Sequence, residues 1–127
     1  MKTVVLLSYN NLGLEFWNRH LNFNHNVEVH HFRTGKSCIS ALAVGLKADV
    51  IIVDDYFART EKGDYSGHEV VNKVSKKFTK IPCFHITPDL AEVANGNGDQ
   101  HVVFSNFDES VLALINNSLD AQLAETA

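Results

Sequence analysis

Five short apolar runs recur along the chain, each followed by an amphipathic stretch or a polar connection, and this alternation constrains the fold more than any other feature. Val4-Val5-Leu6-Leu7 and Val50-Ile51-Ile52-Val53 are unbroken apolar runs, the pattern of strands covered on both faces. Val27 and Val29 alternate with polar neighbours, so the second strand reads as more exposed. Ile81 to Thr87 and His101 to Phe104 supply the fourth and fifth strands. Between them lie stretches with helical spacing: Leu14, Trp17 and Leu21, capped by Asn10 or Asn11; Ile39, Leu42, Ala43 and Leu46, capped by Thr34; and Val70, Val71, Val74 and Phe78. Ser66-Gly67-His68-Glu69 has the form of a capping box opening that third helix. A short helix flanked by Asp89 and Glu92 ends in Asn95-Gly96-Asn97-Gly98, and Val111, Leu114, Ile115 and Leu119 line a last one.

Short crossovers between buried strands force a parallel sheet with helices on both faces and right-handed connections. The expected fold is therefore α/β, a doubly wound five-stranded parallel sheet in the order 2-1-3-4-5. At 127 residues the chain fits one domain, read as residues 1–120 with a tail over 121–127.

Charge and composition remove several function classes. Eleven basic and fifteen acidic residues give −4 with no basic stripe along the sequence, so no nucleic-acid partner is expected. The apolar start breaks at Ser8-Tyr9-Asn10-Asn11, too early for a secretion signal, and no run is long enough to span a membrane. Cys38 and Cys83 have no metal or redox spacing and read as small buried hydrophobes of a cytoplasmic protein. Seven histidines include no His-x-x-x-His pair, and no metal site is expected.

In such sheets reactive groups gather beyond the carboxyl ends of the strands, at the switch point between the first and third. The residues delivered there are Ser8, Tyr9 and Asn10 from the first strand and Asp54 and Asp55 from the third. The fourth delivers Thr87, and the fifth delivers Ser105 and Asn106. From periodicity alone, the favoured reading of these polar residues is a solvated rim that also caps helices. No phosphate-binding loop follows the first strand, as a flavodoxin-like cofactor binder would require, and neither cysteine is placed as a nucleophile.

At these positions the chain resembles the receiver domains of bacterial response regulators, over about Thr3 to Leu119. Asp49-Val50-Ile51-Ile52-Val53-Asp54 is similar to the family's third strand with its phosphoacceptor aspartate. Ser66-Gly67-His68-Glu69 is similar to its turn into the third helix. Ile81 to Thr87 is similar to the fourth strand with its terminal hydroxyl. The resemblance implies a flavodoxin-like receiver fold and a non-enzymatic role in two-component signalling. Its partners would be signalling proteins, such as a histidine kinase or an output protein, or a second copy of the chain. The implied contact surface is the fourth helix, fifth strand and fifth helix.

The departures from the family matter as much. Two acidic residues that hold Mg²⁺ after the first strand are replaced by Ser8 and Tyr9, and the Lys-Pro after the fifth by Ser105-Asn106. The aromatic switch position falls on Val102, the loop after Asp54 is longer than usual, and the segment from Thr87 to Ser105 is shorter. Phosphoryl transfer needs positive charge on the phosphoryl oxygens, and one aspartate anchors Mg²⁺ poorly. Asp55 points to the opposite face from Asp54 in an extended chain, and Arg59 and Lys62 read as solvated loop charges. The expected function is a receiver-like interaction module with a degraded phosphoryl site and no cofactor. Tyr9 would strengthen that reading if it filled the vacated metal position. A phosphorylatable regulator using Asp54 with Mg²⁺ is the alternative, and a small-molecule binder on the same fold is a third.

Overall fold

The computed structural model describes residues 2–21, 27–54, 63–78, 80–86, 101–104 and 112–119, with the backbone alone at 68 and 101–104. The strands are β1 (Lys2–Ser8), β2 (Val27–Phe32), β3 (Val50–Asp54), β4 (Cys83–Ile86) and β5 (His101–Phe104). The helices are α1 (Asn11–Leu21), α2 (Gly35–Ala43), α3 (Gly67–Lys77) and a C-terminal helix over residues 112–119. All pairings are parallel, in the order β2-β1-β3-β4-β5. The doubly wound α/β architecture follows the alternation of apolar runs. The expected fourth helix around Asp89 to Glu92 and the tail over 121–127 lie outside the described residues.

Strand periodicity of two divides the core into two layers. Val4 and Leu6 of β1, Val50 and Ile52 of β3, and Phe84 and Ile86 of β4 face one side, where they pack on Trp17 and Leu21 of α1 and on Ile115 and Leu119. Val5, Leu7, Ile51, Val53 and Cys83 face the other, against Cys38 and Leu42 of α2 and Val70, Val71 and Val74 of α3. Every residue of β3 is buried, as its β-branched composition requires of a central strand. β2, at the sheet edge, buries Val27 alone.

The helix starts follow the sequence. Asn10 Oδ1 accepts from the Gly13 amide at 3.2 Å and Thr34 Oγ1 from the Ser37 amide at 3.1 Å. At α3 both halves of the capping box are present: Ser66 Oγ accepts from the Glu69 amide at 3.2 Å, and Glu69 Oε1 accepts from the Ser66 amide at 3.4 Å. Two expected inner positions are corrected. Ala43 is exposed at the end of α2, because the buried pair is Cys38 and Leu42, spaced by four. Leu114 is also exposed, since Ile115 and Leu119 form the inward pair of the C-terminal helix. Both cysteines are buried free thiols in the α2–α3 layer.

Candidate functional site

The parity that builds the core also aims the groups at the strand ends. Ser8 continues the Val4–Leu6 set and Asp54 the Val50–Ile52 set, and the two residues pair in register. Both therefore face α1. Ser8 is 0% exposed and Asp54 1%. Over them lies Trp17, itself 0% exposed, whose indole Nε1–H donates to Asp54 Oδ2 at 2.6 Å. A buried carboxylate needs donors, and a buried indole N–H needs an acceptor; each residue meets the other's requirement. Trp17 is the site residue that sequence reasoning missed, having been assigned only to the apolar face of α1.

The first turn of α1 closes the site from above. A Cβ on Gly13 would sit 1.9 Å from Ser8 Oγ, 2.8 Å from Ser8 Cβ and 3.8 Å from Asp54 Oδ2. Only a residue without a side chain lets the helix approach this closely. The positive end of α1 is thereby held near the carboxylate, a favourable electrostatic arrangement. In most helices Gly→Ala stabilises by about 0.5–1 kcal/mol. Here rotating the Ser8 hydroxyl leaves the Cβ–Cβ overlap, so overpacking wins, and Gly13→Ala should destabilise by roughly 1–2 kcal/mol. Urea unfolding measures this; a stabilised Gly13→Ala would contradict the packing of α1 on Ser8.

Tyr9 does not turn to Asp54. It follows Leu7 into the α2–α3 layer, where its hydroxyl donates to the Tyr65 carbonyl at 3.1 Å. The idea that it fills the metal position is corrected by that parity. The Ser8 carbonyl lies 2.8 Å from His31 Nε2, and Ser8 Oγ lies 3.4 Å from the Asn10 carbonyl, to which it donates. Arg33 of the loop after β2 hydrogen-bonds the Asn11 side chain beside the start of α1. The adjacent His30 and His31 diverge, His30 toward Glu28 at 3.5 Å and His31 toward β1. Asp55, Arg59, Lys62, Thr87, Ser105 and Asn106 lie outside the described residues.

Mg²⁺, the ion that the receiver resemblance implies, needs several hard oxygen donors around it. Of the positions described here, Asp54 offers the one carboxylate, and its Oδ2 is engaged by Trp17. Ser8 offers a buried hydroxyl directed to the Asn10 carbonyl, and Tyr9 points to the other side of the sheet. Among the described residues, no group of three or more His, Cys, Asp or Glu side chains is arranged to hold a metal. The donors among the described residues do not by themselves fit Mg²⁺.

No protein-family model matches the sequence, and no curated protein matches it. Solved structures do. The signal receiver domain of an HD domain-containing protein from Pseudomonas fluorescens Pf-5 superposes with a TM-score of 0.71 at 16% identity, covering 97% of this chain and 98% of that one. A CheY-like response regulator receiver domain from Methanospirillum hungatei JF-1 gives 0.69 at 16% identity, covering 98% of each chain. The response regulator TrrA from Thermotoga maritima, solved in complex with Mg²⁺ and a beryllium fluoride, gives 0.70 at 16% identity, covering 93% of this chain and 99% of that one. Among the described residues no helix is long and apolar enough to cross a membrane. With Asp54 at the end of the central strand beside the β1–β3 switch point, the chain has the fold of the response-regulator receiver domains.

Proposed function

We propose that this chain is a receiver-like signal-transduction module that works by binding a protein partner, without aspartyl phosphate at Asp54. The observation behind this reading is the burial of Asp54 beneath Trp17, with its Oδ2 committed to the indole N–H. A phosphoacceptor must reach a phosphoryl donor in line, with cations placed on the transferred oxygens. At Asp54 one carboxylate oxygen is taken by the indole N–H, and the residue is buried rather than open to a phosphoryl donor. The vacated acidic pair supports the same conclusion, since Ser8 is sealed under α1 and Tyr9 braces the start of α3. Partners of such a module are signalling proteins, a histidine kinase or an output protein among them, and its compartment is the cytoplasm. It carries no resident cofactor and catalyses no reaction.

Acetyl phosphate with Mg²⁺, followed by intact-mass measurement, tests the reading. No adduct is expected, and Mg²⁺ alone should bind with a dissociation constant above roughly a millimolar. An adduct of one phosphoryl group that disappears in Asp54→Asn would establish the alternative, a phosphorylatable regulator. The retention of an aspartate at the end of β3 is the feature that keeps that alternative worth testing.

A further inference from the structure

The layer away from Asp54 carries a surface that the site leaves unused. On α3, Glu69, Asn72, Lys73, Lys76 and Lys77 recur at helical spacing along one side and line a shallow depression of about 290 Å³. Lys73 Nζ lies 4.7 Å from the centre of the Tyr65 ring, and Lys36 of α2 approaches the same ring at 5.8 Å. Four ammonium groups thus stand on adjoining faces of α2 and α3, against the sign of a chain whose net charge is −4. Among the described residues none of the four is in a salt bridge. Glu69, the acidic member of the stripe, reaches back to the Ser66 amide in the capping box.

This surface is held in shape by contacts beneath it. Tyr65 is fixed through its carbonyl, which accepts from Tyr9. It is fixed also by its packing on Gly35, where an added Cβ would lie 2.8 Å from Tyr65 Cβ and from Val70 Cγ2. Asp64 accepts from the Gly35 and Lys36 amides at 2.9 and 3.0 Å, tying the approach to α3 to the first turn of α2. Two of the lysines are drawn over a fixed aromatic ring, so ordering them on binding costs less than ordering free lysine chains. Their aliphatic stems supply apolar contact beside the charge.

We propose that the α2–α3 face, built from Lys36, Lys73, Lys76 and Lys77 around Tyr65, docks an acidic segment of a protein partner. Charge complementarity selects the occupant. A duplex nucleic acid or an anionic bilayer presents charge over a width comparable to the domain, and would meet the net-negative remainder as well as the stripe. A short carboxylate-rich segment engages the stripe alone. The proposal rests on the reading that the module acts by protein contact and names the chemistry of that contact.

A short oligo-glutamate peptide, titrated into the full-length chain at low salt and followed by amide NMR shifts, tests it. Shifts should concentrate in residues 35–37 and 65–77 and fade as salt rises to physiological strength. In a Lys73→Glu/Lys76→Glu/Lys77→Glu variant affinity should fall about tenfold or more, with the fold kept and thermal stability lowered only modestly, because these side chains are outside the core although Lys76 and Lys77 stand in the last turn of α3. The control Lys47→Glu should bind as the parent does. Absence of shifts, shifts away from the α2–α3 face, or equal binding by the triple variant overturns the proposal. Tighter binding of an oligonucleotide or of phosphatidylserine vesicles at the same residues overturns it too. Failure of the peptide with no acetyl phosphate adduct removes the surface alone; an adduct at Asp54 removes the phosphate-free reading whatever the peptide does.

Discussion

Alanine in place of Trp17 is expected to lower the unfolding free energy by about 4 kcal/mol, nearly a thousandfold in the folding equilibrium. The indole is wholly buried between α1, the sheet and the C-terminal helix, so its removal opens a large cavity in the layer formed by Val4, Leu6, Ile52 and Ile115. It also strips the Asp54 carboxylate of a donor 2.6 Å away. The two contributions separate in a double-mutant cycle. Trp17→Phe keeps most of the ring and removes the N–H; Asp54→Ala removes the acceptor. A buried hydrogen bond to a charged group contributes about 1.5–3 kcal/mol, so the cycle should give a coupling of that size. Urea unfolding of the four proteins measures it. A coupling near zero would mean that the indole N–H and the carboxylate do not depend on one another, and would remove the main support for a closed Asp54.

The Trp17–Asp54 pair also shows where sequence reading stops. The β-branched run ending at Asp54, the capping box at Ser66 and the caps at Asn10 and Thr34 are local patterns, and each forms where the sequence places it. Trp17 reads locally as an apolar position on α1, and that is also true. What connects it to Asp54 is a contact between residues 37 apart, fixed by how α1 lies on the sheet. The signal was present in two parts. Asp54 shares parity with Ile52, and so faces the α1 side. A tryptophan on a buried helix face needs an acceptor for its N–H. Parity also excludes Tyr9 from the metal position, because it follows Leu7 to the opposite layer. Ala43 and Leu114, expected on inner faces, are exposed for a different reason. Each neighbours a true core position, and a stripe drawn from spacing alone is wider than the surface the sheet covers. The basic face is not legible in the sequence, because Lys36 and the α3 lysines are far apart along the chain and come together around Tyr65.

The opposite layer yields the second large effect, at its cysteines. In the folded chain Cys38 and Cys83 should react with iodoacetamide at pH 8 about a thousandfold more slowly than in the urea-unfolded chain. The thiolate is the nucleophile, so its population sets the rate. Burial pushes the Cys38 thiol up from 9.0 to about 12, which cuts its thiolate fraction at pH 8 by about three powers of ten. Burial raises Cys83 as well, and the neighbouring Cys38 raises it further. The same shifts fix a pH dependence of stability. Both groups have folded-state values above their unfolded ones, so the stability that comes from keeping them protonated is complete below pH 9. It is lost as pH rises from 9 toward 12, because the unfolded chain ionises first. Urea midpoints should therefore fall above pH 9, and less so in Cys38→Ala/Cys83→Ala relative to that variant's own value at neutral pH. Alkylation of either thiol within tenfold of the unfolded rate, under conditions where the chain is folded, would show that the layer between the sheet and α2–α3 is not closed. That closure matters beyond the thiols: Val70 and Val74 seat the inner face of α3 against the same layer as Cys38, so the lysines on the outer face hold their spacing around Tyr65 only while it stays packed.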